Sequence, residues 1–176
     1  MIPYDAWDRE WDYNQSNYYT LLDKAMRKEY DGSVEFLEKN IERFTGRYYA
    51  VGVANATDGL YFALAANGIG AGDEVIVTNF SWISSATCIT RVGATPVFAD
   101  IDIDTYHLDF QSIKDNCTEN TKALVYTHLY GSMSDTREIE DWCKDKGILF
   151  VEDAAQGLGS SLDGRKAGTI GDCSVF

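Results

Sequence analysis

From residue 47 onward, short apolar runs with a β-branched and aromatic bias alternate with helical segments of about ten residues, and this alternation leaves few folds open. Residues 48–53, 74–78, 95–100, 123–127 and 149–152 read as strands. Residues 57–66, 81–91 and 135–146 read as helices, the first with Leu60, Tyr61 and Leu64 inward, and Asp109 is placed to cap a further short helix. Such an order predicts an α/β domain, a parallel-rich sheet flanked by helices. Ahead of it, residues 18–30 read as a helix that carries Tyr18, Leu21, Leu22, Ala25 and Met26 on one face and breaks at Asp31-Gly32. Ser33 is placed to cap a second helix through Phe44, with Phe36, Leu37, Ile41 and Phe44 as its apolar stripe, and Thr45-Gly46 ends it. Residues 1–17 alternate aromatics with carboxylates and read as a packing arm or partner-contact segment. The last residues, Cys173-Ser174-Val175-Phe176, stop inside what reads as one more strand, so the domain is expected to be incomplete at its C-terminus.

The charge balance removes whole classes of function. Fifteen Lys and Arg against 28 Asp and Glu leave a formal charge of −13. Broad binding to a phosphate backbone needs clustered cations, so nucleic acid is not an expected partner. A small anion held by backbone N–H groups remains compatible. The first residues lack the basic and apolar blocks of a secretory signal, and no apolar run reaches the ~18 residues of a membrane helix, so no membrane partner is expected. Cys88, Cys117, Cys143 and Cys173 are widely spaced without a C-x-x-C pair, which fits free thiols in a reducing cytoplasm.

Several familiar patterns carry no chemistry here. Gly68, Gly70 and Gly72 follow a helix and precede a strand, the reverse of the dinucleotide fingerprint, and read as a helix end plus turn. Asp100, Asp102 and Asp104 imitate the start of a calcium loop, but Thr105 and Gln111 stand where glycine and glutamate are required. His107 and His128 have no partners at metal-ligand spacing, so no metal is expected. A serine-hydrolase elbow, G-x-S-x-G, is absent.

Three other stretches fall at one edge of the predicted sheet. Ligands of open α/β sheets sit beyond the carboxyl ends of the strands. Ile148-Leu149-Phe150-Val151-Glu152-Asp153-Ala154-Ala155-Gln156 ends a strand in two carboxylates, two small residues that would let a flat group approach, and an amide. Asn55-Ala56-Thr57-Asp58-Gly59-Leu60 opens a helix, whose N–H groups suit a phosphate as well as ordinary capping. Asn79-Phe80-Ser81-Trp82 follows a strand and places aromatics there, for core packing or as the cover of a planar ligand. A flat, phosphorylated heteroaromatic cofactor would use all three, with Asp153 against a protonated ring nitrogen. That is the pattern of pyridoxal 5'-phosphate.

These stretches, with 68–77, 92–102, Thr127-His128-Leu129-Tyr130-Gly131 and Gly171-Asp172, resemble the DegT/DnrJ/StrS family in order and spacing from about residue 33 to Phe176. The resemblance implies the large domain of the type I pyridoxal-phosphate fold, aspartate aminotransferase-like, over residues 33–176, with 1–32 as an arm and first helix. It implies transfer of an amino group, from glutamate, to a nucleotide-linked keto sugar, and a homodimer. Ala56 and Thr57 would hold the cofactor phosphate, Trp82 would stack on the ring, Asp153 would pair with the ring nitrogen and Gln156 would hydrogen-bond the ring hydroxyl. The family's Schiff-base lysine has no counterpart here: it is expected just after the strand ending at Phe176, and Lys122, Lys144, Lys146 and Lys166 read as surface charges. On that ground the 176 residues alone are expected to be inactive. Two alternatives stay open: a sugar dehydratase of the same family, with histidine in place of the lysine, and an inactive half-protein that at most binds the cofactor or a partner. Two departures carry expectations of their own. Ala56 stands where the family has glycine, which would strain a loop needing positive φ. Lys28-Glu29-Tyr30-Asp31-Gly32 replaces a glycine- and tryptophan-bearing loop near the sugar.

Overall fold

The computed structural model describes residues 16, 17, 19, 20, 23, 24 and 32–176. The expected arm over 1–17 and most of the helix over 18–30 lie outside the described residues; the six described before residue 32 are exposed, and all six are helical. Helix α1 spans Ser33–Thr45, α2 Ala56–Ala66, α3 Ser84–Arg91, α4 Phe110–Asp115 and α5 Arg137–Lys146. Strands β1 (Glu74–Thr78), β2 (Thr95–Ala99), β3 (Thr121–Thr127), β4 (Leu149–Asp153) and β7 (Cys173–Val175) form one sheet in the order β2-β1-β3-β4-β7. Every pairing in that sheet is parallel. A small antiparallel hairpin, β5 (Ser161–Leu162) with β6 (Arg165–Lys166), stands beside it.

Because side chains alternate along a strand, each strand divides its residues between two layers. Val75, Val77, Ala123, Val125 and Val151 pack under α2 and α3 with Leu60, Leu64, Cys88 and Ile89. Ile76, Leu124, Tyr126 and Phe150 pack on the other face with Ile113 of α4 and Ile139 and Cys143 of α5. The sheet is therefore covered on both sides, and its strands are apolar without a polar face, as parallel strands are.

The helix ends follow local chemistry. Asn55 caps α2 by accepting from Asp58 N–H at 2.9 Å, and Asp109 caps α4 by accepting from Ser112 N–H at 2.7 Å. Gly68 donates back to Ala65 O and holds φ +78°, the helix end and turn read from the glycine triplet. Ser33 does not cap α1: Gly32 holds the cap position with φ +91° and no side-chain bond is made there. Helix α3 begins at Ser84 rather than residue 81, and Asp102 uses its carboxylate to accept from Asp104 and Thr105 N–H in a tight turn.

The largest departure is at 48–53, which forms no strand. Tyr48, Tyr49 and Val51 are 91%, 85% and 79% exposed. Two of its N–H groups go to carboxylates of α1 instead of a ladder, Ala50 to Glu42 at 3.4 Å and Gly52 to Glu38 at 2.6 Å. The apolar stripe of α1 behaves likewise: Phe36, Leu37 and Phe44 are exposed.

Candidate functional site

The parallel sheet brings the carboxyl ends of β1, β3, β4 and β7 to one edge. Helix α2 runs back towards the start of β1, so its own start lies at that edge too. Gly59 in its first turns packs on Val175 of β7, where a Cβ would meet Val175 Cγ1 at 2.6 Å. Val175 O in turn accepts from Ala154 N–H at 2.8 Å. Helix α2 and α3 are tied near the same edge by Arg91, 2.6 Å from Asp58 Oδ1.

Asp153 closes β4 with only 5% of its surface exposed. Register pairs it with Thr127 at the end of β3. Ser85 in α3 donates to Asp153 Oδ2 at 3.0 Å, Thr127 Oγ1 lies 3.4 Å from the same oxygen, and Ala155 N–H reaches Oδ1 at 3.3 Å. Every partner is a donor, the set an ionised carboxylate accepts. Beside it, burial pushes the Cys88 thiol up to about 12, with the charge of Asp153 adding to the effect.

Glu152, one residue earlier, points to the other layer and is fully buried. It accepts from Gly168 N–H at 2.8 Å and from Ile170 and Gly171 N–H at 2.7 Å each. His128 Nε2 sits 2.9 Å from its other side, and Arg47 Nη2 3.7 Å away. Burial works against its charge, but the bonds from His128 and the three N–H groups outweigh burial and hold the carboxyl below its ordinary range. Glu152 is thus bound on all sides by the protein.

At the start of α2, the Asp58 N–H goes to Asn55 Oδ1 and the Gly59 N–H to Asn55 O. The first N–H groups of a helix have no partner within it. Ala56 and Thr57 are therefore the residues whose N–H groups face outward at this end. Ala56 packs its methyl against the core and does not hold positive φ, so the expected strain is absent. The Asp58 carboxylate would oppose an anion there; its hydrogen bond to Arg91 holds it below its usual range, and the guanidinium offsets its charge.

Trp82 is 72% exposed at the turn after β1, while Phe80 stacks on Tyr106 at 5.7 Å. Gln156 is exposed, but its Oε1 already accepts from Tyr130 N–H at 2.5 Å, fastening the turn at Leu129–Gly131. Its amide N–H groups are the part left for a ligand oxygen. Ala154, expected to face a flat group, is instead fully buried against Gly157, whose Cβ would lie 3.5 Å from it. Ala155 is exposed at the edge. The structure thus gathers Asp153, Trp82, Ala56, Thr57 and Gln156 at one edge, and adds Ser85 and Thr127, which the sequence reading missed. Thr127 was recoverable from register, since it ends the strand beside that of Asp153. Ser85 had no signal short of the helix packing itself.

The lysines lie elsewhere. Lys122 opens β3 at the opposite edge and donates to Glu119 O, Lys166 donates to Phe44 O, and Lys144 and Lys146 end α5. Among the described residues there is no group of three or more His, Cys, Asp or Glu able to hold a metal. No described helix is long and apolar enough to cross a membrane.

A family model, that of the DegT/DnrJ/EryC1/StrS aminotransferases, matches residues 16–176. The chain belongs to that family. It is 37% identical over 159 residues to a pleiotropic regulatory protein of Geobacillus stearothermophilus, covering 89% of this chain and 43% of that one. With GDP-perosamine synthase of Caulobacter vibrioides the identity is 41% over 143 residues, 81% of this chain and 38% of the other. Its fold superposes on S. venezuelae DesV, solved with a ketimine intermediate, with a TM-score of 0.87 and 29% identity over 95% of this chain and 46% of that one. The chain spans less than half the length of these curated relatives.

Proposed function

We propose that these residues are the cofactor-holding part of a pyridoxal-phosphate-dependent aminotransferase that acts on a nucleotide-linked keto sugar, with glutamate as amino donor. The observation that carries this reading is Asp153: a nearly buried carboxylate, supplied only with donors, at the ligand edge of a parallel sheet. Its relatives include sugar aminotransferases, GDP-perosamine synthase and a dTDP-3-amino-3,6-dideoxy-galactopyranose transaminase among them. The residues fit pyridoxal phosphate. The N–H groups of Ala56 and Thr57, with the dipole of α2, would hold the phosphate. Trp82 would cover the ring, Asp153 would hold a proton at the ring nitrogen, and the amide of Gln156 would meet the ring oxygen. When bound, the group supplies an electron sink for the carbon that exchanges its amino group. Burial of Asp153 strengthens its pull on that proton by excluding water from one side.

Residues 33–176 would then form part of the large domain, with 1–32 as an arm, in a cytoplasmic enzyme assembled as a homodimer. The lysine that would form the Schiff base is not among these 176 residues, so the chain by itself should bind pyridoxal phosphate without catalysing exchange. Titrating pyridoxal phosphate into the chain while following tryptophan emission tests this. Saturable quenching that Asp153→Ala sharply weakens supports the reading; equal binding by Asp153→Ala refutes it. Borohydride should trap no dominant lysine, and stoichiometric trapping at Lys122 or Lys166 would overturn that part.

A further inference from the structure

Ser85 holds two parts of the site with two different groups. It lies in the first turn of α3 and is 1% exposed, on a helix face otherwise given to Cys88 and Ile89 in the apolar layer. Its hydroxyl donates to Asp153 Oδ2 at 3.0 Å, and its N–H donates to Trp82 O at 3.1 Å. A serine hydroxyl has one proton, and an ionised carboxylate only accepts. That fixes the direction of the third contact: Ser81 Oγ, 2.9 Å away, donates to Ser85 Oγ. A directed chain therefore runs from the turn bearing Trp82, through Ser81 and Ser85, to one oxygen of Asp153. Thr127 approaches the same oxygen from the neighbouring strand at 3.4 Å, longer than the contact from Ser85. With Oδ2 occupied from within the protein, Oδ1 bears, among the described residues, only the 3.3 Å contact from Ala155 N–H and is the oxygen left for a ligand.

We propose that Ser85 is the positioning residue of this site: it aims the carboxylate of Asp153 and fixes its place relative to the Trp82 turn, so that one planar ring meets both. This rests on the reading of Asp153 as partner of the cofactor's ring nitrogen. A buried hydroxyl is costly to leave unpaired, and an apolar side chain would fill the same space. The two partners of Ser85 are what justify a serine there. Losing the hydroxyl lets the carboxylate turn within its pocket and leaves Ser81 without its acceptor. Weaker hold on the proton at the ring nitrogen follows, in addition to weaker binding.

The test uses the chain with isotope-labelled pyridoxal phosphate and two readouts, the dissociation constant and the ring-nitrogen chemical shift at mildly alkaline pH, where free cofactor loses that proton. Wild type should show a protonated ring nitrogen and Asp153→Ala an unprotonated one. Ser85→Ala should bind about ten- to 150-fold more weakly, the range of one hydrogen bond to a charged group, with its ring-nitrogen shift moved towards that of Asp153→Ala. Ser85→Thr keeps the hydroxyl and should restore both readouts. Ser85→Cys fills the space with a weak donor and should resemble Ser85→Ala, so the Thr and Cys pair decides if the alanine variant does not fold. Wild-type affinity and shift in both Ser85→Ala and Ser85→Cys, with Asp153→Ala defective, would overturn the positioning role and leave the cofactor reading standing. Failure of wild type to bind, or a shift that Asp153→Ala does not change, would remove the cofactor reading and the positioning role with it.

Discussion

Glu152 and Asp153 are neighbours in one strand, yet alternation sends them to opposite layers with opposite consequences. Glu152 is saturated: three N–H groups of the 168–171 loop and His128 take both its oxygens, and no room is left for a ligand. Asp153 is supported on one oxygen by Ser85 and leaves the other less engaged at the sheet edge. The difference separates a carboxylate that holds the fold from one that the fold holds for something else. Burial alone does not make that distinction, since the two are 0% and 5% exposed. The count and direction of donors does.

Removing each carboxylate in turn breaks or sharpens the contrast most strongly. Glu152→Ala would strand His128 and three N–H groups, and truncating one partner of a buried charged network costs about 3–5 kcal/mol. Denaturant unfolding should show that loss. Asp153→Ala should lose about 1–2 kcal/mol by the same measurement, because its contacts are fewer and weaker: one hydroxyl at 3.0 Å, a second at 3.4 Å and one N–H at 3.3 Å. Equal losses would show that Asp153 is as structural as its neighbour.

The loop that saturates Glu152 gives the next effect. A Cβ on Gly171 would lie 2.5 Å from the carbonyl oxygen of Phe150, which is backbone and cannot swing away. Gly171→Ala must therefore shift β7 against β4 and disturb the N–H that Gly171 gives to Glu152. About 2–3 kcal/mol of destabilisation is expected, in the range of overpacked sites. Gly59→Ala, where the clash is with a side-chain methyl of Val175, should cost less. A Gly171→Ala protein with unchanged stability would mean that the loop is not clamped.

Acid should separate the layers further. Burial first, and the nearby His128 second, hold His107 below its ordinary value. The unfolded chain then takes up that proton before the folded one, so stability falls as pH drops below about 6.5 and levels off once folded His107 titrates. Glu152 is also depressed, and being a carboxylate it contributes fully above its unfolded value of about 4.3 and loses that contribution as pH falls further. Two successive acid steps should appear in the denaturant midpoint. His107→Gln should remove the upper one and Glu152→Gln the lower. A single step that both variants leave intact would place the acid sensitivity elsewhere.

Much of this layout is legible in the sequence, and the misses share a cause. Strand β1 has the bounds its sequence predicts, and the cap at Asp109 follows from residue type alone. Asp153 was placed at a strand end because an apolar run stops there, which is a local fact. The 48–53 segment has the same local texture, but β-propensity describes a fit to neighbours, and its N–H groups meet Glu38 and Glu42 rather than another strand. Ser81 has the composition of a cap, yet its hydroxyl is drawn to Ser85, and α3 begins three residues later without a side-chain cap. Ser85 and the clamp on Glu152 depend on contacts between elements far apart in the chain, for which spacing carries no mark.

The smallest effect compares thiols, one in each layer. Cys88 lies under the Asp153 side and Cys143 under the Glu152 side, 0% and 2% exposed, and burial pushes both to about 12. Neither can react without an opening of the fold, because the thiolate is the reactive form. Their rates of labelling therefore report how readily each layer opens. Neither helix has a side-chain cap at its start, but α3 has eight residues, whereas α5 has ten and closes on Gly147 at φ +67°, which returns its N–H to Lys144. The Asp153 layer should thus open more easily, and Cys88 should label faster than Cys143 by less than about tenfold, the effect of 1.4 kcal/mol. Pyridoxal phosphate bound across the starts of α2 and α3 would stabilise that layer by mass action, so saturating cofactor should narrow the gap or reverse it. If cofactor slows both thiols equally, the two layers open as one unit, and the division between the Glu152 and Asp153 sides is chemical rather than dynamic.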